Sequence, residues 1–170
     1  MIIGITGQVG VGKSTAARVI QLEMNADVID LDRVGHQLLA RQSVHARCES
    51  IAGISLETLM DKNNRQRFGE IVFADKKKLK QLNNLMHPLI LADVKRRLDQ
   101  LDSPCIIIVG ALIHEIGLRL YCNHLLTITA DHNKIKQHIG QKYDKIALYQ
   151  KAEEDYIELA DSYIRNSFDT

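Results

Sequence analysis

Apolar residues along this chain fall into two rhythms. Short, mostly apolar runs at 2–6 (Ile-Ile-Gly-Ile-Thr), 26–30, 105–109 and 125–129 read as strands, with Tyr163-Ile164 as a brief last one. Between them, apolar spacings of three and four predict helices. Ala16, Val19, Ile20 and Leu22 form one face over 15–24, and a second helix over 31–40 follows the second strand directly. His87-Pro88 opens a helix whose stripe is Ile90, Val94, Leu98 and Leu101, with Pro88 suited to a first turn. Asp131 is a cap for a helix over 133–142, and Ile146, Tyr149, Ala152, Tyr156 and Ala160 predict another over 146–159. From 41 to 87 the pattern loses its strands and becomes polar and helical, with Gly53 and Asp61-Lys62-Asn63-Asn64 as turns. The run at 105–109 is the most strand-like and is expected at the centre of the sheet. Strand alternating with helix means an α/β fold, and right-handed crossovers give a parallel sheet of about five strands with helices on both faces.

One junction in this pattern carries chemistry. Between the first strand and the first helix stands Gly7-Gln8-Val9-Gly10-Val11-Gly12-Lys13-Ser14, an uninterrupted GxxxxGK[ST] loop. Glycines let backbone N–H groups converge on phosphate oxygens, and the helix N-terminus adds roughly half a positive charge. Lys13 would reach the β- and γ-phosphates of a nucleoside triphosphate, and Ser14 would hold Mg²⁺.

Composition narrows the field. At 170 residues and 45% hydrophobic content the chain can build a real core around one α/β domain with an insertion. Lys and Arg number 22 against 21 Asp and Glu, so the net charge of +1 gives no global attraction to nucleic acid or to a membrane surface. The longest apolar run, 105–113, is under half the roughly 20 residues of a spanning helix. Cys48, Cys105 and Cys122 are an odd set without CxxC spacing, and the first strand begins at once, so a reduced, cytoplasmic protein is expected. No oligomeric signal is visible.

Other polar positions are open to two readings. Asp30 and Asp32 flank the carboxyl end of the second strand, where open parallel sheets bind ligands; either could serve chemistry, or cap the next helix. Arg65, Arg67 and Lys76-Lys77-Lys78 with Lys80 make a basic surface, either a solvated helix face or a site for an anionic substrate. The loop after the third strand holds His114 and Glu115.

The loop from Thr6 to Thr15, Val28-Ile29-Asp30-Leu31-Asp32, Leu82-Asn83-Asn84-Leu85-Met86-His87-Pro88-Leu89-Ile90 and the ending Ala160-Asp161-Ser162-Tyr163-Ile164-Arg165-Asn166 resemble the dephospho-CoA kinase family, in order and in spacing. Ile71-Val72-Phe73 preceded by Arg65, and Leu112-Ile113-His114-Glu115, are similar too. The resemblance covers nearly the whole chain. It implies a P-loop kinase core (1–40, 88–132 and 151–170), a helical substrate insertion (41–87) and a lid (133–150). It also implies transfer of the γ-phosphoryl of ATP, with Mg²⁺, to the 3′-hydroxyl of dephospho-CoA. Gly10, Val11, Gly12, Lys13, Ser14 and Thr15 would bind the ATP phosphates, Ser14 the metal, and Asp32 would accept the ribose proton. Arg65, His87 and Glu115 fall where the family has substrate-side motifs, although His87 could equally fix the His-Pro turn from a buried position and Glu115 could be a plain surface carboxylate.

Three departures stand out. Gln8 replaces a usual glycine and Ala111 a usual proline. Where the family presents two lid arginines, this chain has Gln137 and Gln141, with Lys142 beside the latter, and the lid is several residues short. Glutamine cannot neutralise phosphate charge as a guanidinium does; Lys134, Lys136, Lys142 and Lys145 are the nearby substitutes. The alternatives to the family activity are a protein that binds ATP or CoA-type ligands with little turnover, and a kinase of another small metabolite.

Overall fold

The computed structural model describes residues 1–55, 58–140 and 150–168. Its first unit, 1–30 with 101–168, is a five-stranded parallel sheet in the order β2-β3-β1-β4-β5. The strands are β1 (Ile2–Thr6), β2 (Asp27–Asp30), β3 (Ile106–Val109), β4 (His124–Ala130) and β5 (Ser162–Asn166). β3 is buried at every residue, as its unbroken Ile-Ile-Ile-Val run requires, but it lies between β2 and β1. The middle position belongs to β1, whose Ile5 is level with Val109 on one side and Leu126 on the other. The chain leaves β1 for β2 and β3 on one side and reaches β4 and β5 on the other. The carboxyl end of β1 is therefore the switch point, where open parallel sheets bind ligands.

Helix α1 (Lys13–Met24) follows β1, and its Ala17 joins Ile5, Val11, Ile107, Val109, Ile128 and Ile135 in the core. Helix α6 (His132–Ile139) is capped as expected by Asp131, which accepts from the N–H groups of Asn133 and Lys134. It ends earlier than its polar pattern suggested, because Gly140 at φ 63° terminates it. The last helix is also shorter than expected. Among the described residues, Gln150 to Ala152 are not helical, Ala152 is the N-cap and Glu153–Glu158 (α7) is the helix; Ile146 and Tyr149 lie outside the described residues. Arg119 holds Asp161 at 2.8 and 3.0 Å, and Asp161 accepts from Leu125 N–H at 2.7 Å, which secures the entry to β5.

The second unit, Leu31–Gln100, is helical: α2 (Leu31–Leu39), α3 (Gln42–Ala52), α4 (Lys62–Phe73) and α5 (Lys76–Gln100). The expected turns are present, Gly53 closing α3 at φ 74° and Asp61 capping α4 through Asn63 and Asn64. The expected start of a helix at His87-Pro88 is overturned, since α5 is one helix of 25 residues with Pro88 inside it. Its true start is set by Asp75, whose carboxylate accepts from Lys77 and Lys78 N–H at 2.8 and 3.3 Å. An interior proline costs roughly 3 kcal/mol. Burial of Met86, Ile90 and Val94 against neighbouring helices offsets it, at roughly 1.5–3 kcal/mol per buried large apolar side chain. The lysine run has a structural use as well: Lys78 Nζ donates to Ala52 O at 2.8 Å, satisfying a carbonyl at the C-terminus of α3.

Candidate active site

The loop between β1 and α1 has the geometry of an anion cradle. Gly7 and Gly12 take φ of 135° and 98°, and at both a side chain is excluded by contact as well as by strain. A Cβ on Gly7 would stand 2.2 Å from the carbonyl oxygen of Ile128 in β4, and one on Gly12 would stand 2.5 Å from Asn166 Nδ2 in β5. Asn166 donates to Val11 O at 3.0 Å, so the far edge of the sheet braces the loop. Lys13 Nζ donates to Gly7 O at 3.0 Å and to Gln8 O at 2.7 Å, which holds the ammonium within the loop. Gly12 caps α1 without a side-chain bond and the first turn carries no acid, so the helix N-terminus stays positive and open to an anion. Ser14 and Thr15 are exposed in that first turn.

The remaining positions are distributed over both units. Glu115 follows β3 and pairs with Lys151 at 3.4 Å; the main-chain oxygen of Lys151 accepts from Gln8 Nε2 at 3.0 Å, so Glu115 is linked to the loop through one residue. His114 beside it is held below the usual imidazole range, first by burial, then by Lys151 and Arg119, with Glu115 acting in opposition. Tyr156 is buried, donates to Ala111 O at 3.3 Å, and burial pushes its hydroxyl up to about 12, with Glu115 and Asp155 adding to the effect. Its own carbonyl accepts from Thr127 at 2.9 Å.

In the helical unit Asp32 lies exposed in the first turn of α2, two residues beyond the end of β2. Arg65, on α4, donates to the carbonyl oxygens of Leu59 (2.9 Å) and Met60, and so ties down the turn ahead of its own helix. His87 is half-buried one residue before Pro88 within α5. On α6, Gln137 is exposed and Lys134 donates to Ser167 O at 2.6 Å, while Gln141, Lys142 and Lys145 lie outside the described residues. α6 packs on the loop itself, since Ile135 and Ile139 come within 2.9 and 3.0 Å of a Cβ placed on Gly10.

Some contributors carried no functional signal in the sequence. Gln8 reads as a departure from a glycine, yet its side chain is buried and bonded. Gln150, whose Oε1 accepts from Val9 N–H at 2.8 Å, carried none at all.

A phosphate loop on the middle strand of a five-stranded parallel sheet defines the P-loop kinase class. A crystal structure from Thermus thermophilus shares the fold with a TM-score of 0.80 at 23% identity, covering 98% of this chain and 88% of its own. So does a dephospho-CoA kinase from Campylobacter jejuni, with a TM-score of 0.64 at 22% identity, covering 99% and 89%. The dephospho-CoA kinase family model matches residues 1–170, and a dephospho-CoA kinase of Borreliella burgdorferi is 30% identical over 86% of this chain and 70% of its own length. The chain belongs to the dephospho-CoA kinase family.

Proposed function

We propose that the protein transfers the γ-phosphoryl group of ATP to the 3′-hydroxyl of dephospho-CoA, giving coenzyme A and ADP. The observation that carries this reading is the braced loop around Lys13, in a chain matched from end to end by the family. Phosphoryl transfer asks little covalent chemistry of a protein and a great deal of positioning and charge neutralisation. The N–H groups of Gly10, Val11, Gly12, Lys13, Ser14 and Thr15 take the phosphates, and the Lys13 ammonium, steadied by its loop carbonyls, donates to β- and γ-phosphate oxygens. Asp32 orients the acceptor hydroxyl and takes its proton. Arg65, His87 and Glu115 bind on the acceptor side, the helical unit serving as substrate domain and α6 as the start of the lid.

The loop also suits Mg²⁺: an exposed serine hydroxyl directly after Lys13, in a first turn free of competing acids, is the hard oxygen donor that ion takes. When bound, Mg²⁺ neutralises charge between the β- and γ-phosphates. Ser14 would hold it. The acceptor is a small molecule. Three buried, unpaired cysteines support a reducing compartment, and among the described residues no helix is long and apolar enough to cross a membrane.

Coupled release of ADP on adding dephospho-CoA tests the reading, with Lys13→Ala expected to abolish it. A second reading, nucleotide binding with slow turnover, is favoured by the exposed Gln137 on α6. A missing arginine clamp can cost about 10³ in rate.

A further inference from the structure

We propose that Gln150 is a positioning residue of the phosphate loop, setting the peptide unit that holds Lys13. The inference rests on the kinase reading above. A peptide group is planar and trans, so its C=O and N–H point in opposite directions and turn together. The peptide between Gln8 and Val9 is held at both ends: its carbonyl accepts from Lys13 Nζ at 2.7 Å, and its N–H donates to Gln150 Oε1 at 2.8 Å. Rotating this unit would withdraw the carbonyl from the lysine and release the N–H from Gln150 in one motion.

A second bond fixes the fixing residue. Gln8, only 7% exposed, donates through Nε2 to the main-chain oxygen of Lys151 at 3.0 Å, so the 150–151 backbone is tied to the same stretch of loop that Gln150 orients. Lys151 is tied in turn to Glu115 at 3.4 Å, and Ala152 next to it caps α7. The two glutamines thus form a reciprocal clasp, side chain to main chain in each direction. The side chain at position 8, which a glycine could not supply, is half of it. Val9 N–H is thereby committed to the protein, and the ligand-facing donors begin at Gly10.

Removing one net hydrogen bond of this kind is worth about five- to tenfold in affinity. Gln150→Leu should raise KM for ATP by about that factor and leave KM for the acceptor unchanged. The direct readout is amide hydrogen exchange in the nucleotide-free protein. Val9 N–H should be protected in the wild type, exposed in Gln150→Leu while the β1 and β3 amides stay protected, and protected again in Gln150→Glu, which keeps an acceptor oxygen. An unchanged KM for ATP in Gln150→Leu, or loss of protection spread evenly over the sheet, would overturn the proposal. Because exchange is read without nucleotide, a wild type that protects Val9 yet binds no ATP would count against the kinase reading and leave the clasp standing.

Discussion

Asn166 Nδ2 donates to Val11 O at 3.0 Å and occupies the space a side chain on Gly12 would need, 2.5 Å from the Cβ position. A second bond anchors the amide, whose Oδ1 accepts from Phe168 N–H at 2.9 Å. A residue of the last strand therefore fixes the loop that follows the first.

Gly12→Ala meets both this amide and a backbone φ of 98°. The combined strain is of order 2–3 kcal/mol, so ATP affinity should fall about 30- to 100-fold while the fold survives. Titration calorimetry with ATP checks this. Asn166→Ala frees the space but unties Val11, and a smaller loss of about tenfold is expected.

Asp93 gathers three guanidinium groups. Its buried carboxylate accepts from Arg41 at 3.2 Å, Arg96 at 2.8 Å and Arg97 at 2.7 Å. Burial alone would raise its pKa, but the hydrogen bonds and charges of Arg96 and Arg97 outweigh that and hold it below the ordinary value. Asp93→Ala should destabilise the protein by about 2 kcal/mol, less than a fully buried pair because water screens the part-exposed arginines. The depressed pKa gives stability that is complete above the unfolded value near 4 and is lost as pH falls from there through the lower folded value. Thermal melts between pH 5 and 3 should decline more steeply for wild type than for Asp93→Asn.

Much of the first unit was legible in the sequence because its signals are local. A strand, a glycine pattern and an apolar helix face adjoin one another from Ile2 to Met24, and each allows few conformations. The network around Asp93 was not legible: Asp93, Arg96 and Arg97 look like a solvated helix face until Arg41, 52 positions earlier, closes on them. The same holds for Gln150, which meets Val9 across 141 positions with no periodicity to announce it. The course of α5 was misread for another reason. Proline suits a helix's first turn, so His87-Pro88 reads as a start; the helix in fact begins at the Asp75 cap, and packing of Met86, Ile90 and Val94 carries it past the proline.

Helix α6 supplies a gain-of-function test. Gln137 is exposed on α6, the helix whose Ile135 and Ile139 pack on the loop at Gly10. On the proposed reading of α6 as the start of the lid, Gln137→Arg supplies the guanidinium the site lacks, and kcat should rise by up to about 10³ with little change in Tm. An unchanged kcat would show that the neighbouring lysines already do this work.

The thiols should be silent in the folded protein. Cys48 and Cys122 are pushed up to about 11 by burial, and Cys105 is buried within the sheet unit. At pH 8 a thiol reagent should label none of the three until denaturant is added, and then all three, as mass spectrometry would read directly.

The central claim is phosphoryl transfer to dephospho-CoA, with Asp32 accepting the ribose proton. Its most direct test is the rate of ADP release on adding dephospho-CoA to the protein with ATP and Mg²⁺, wild type beside Asp32→Ala, with the phosphorylated product identified by mass spectrometry. Coenzyme A should form with the wild type and fall by at least about a hundredfold with the variant. Equal rates in the two proteins, or ADP release without coenzyme A, would contradict the account.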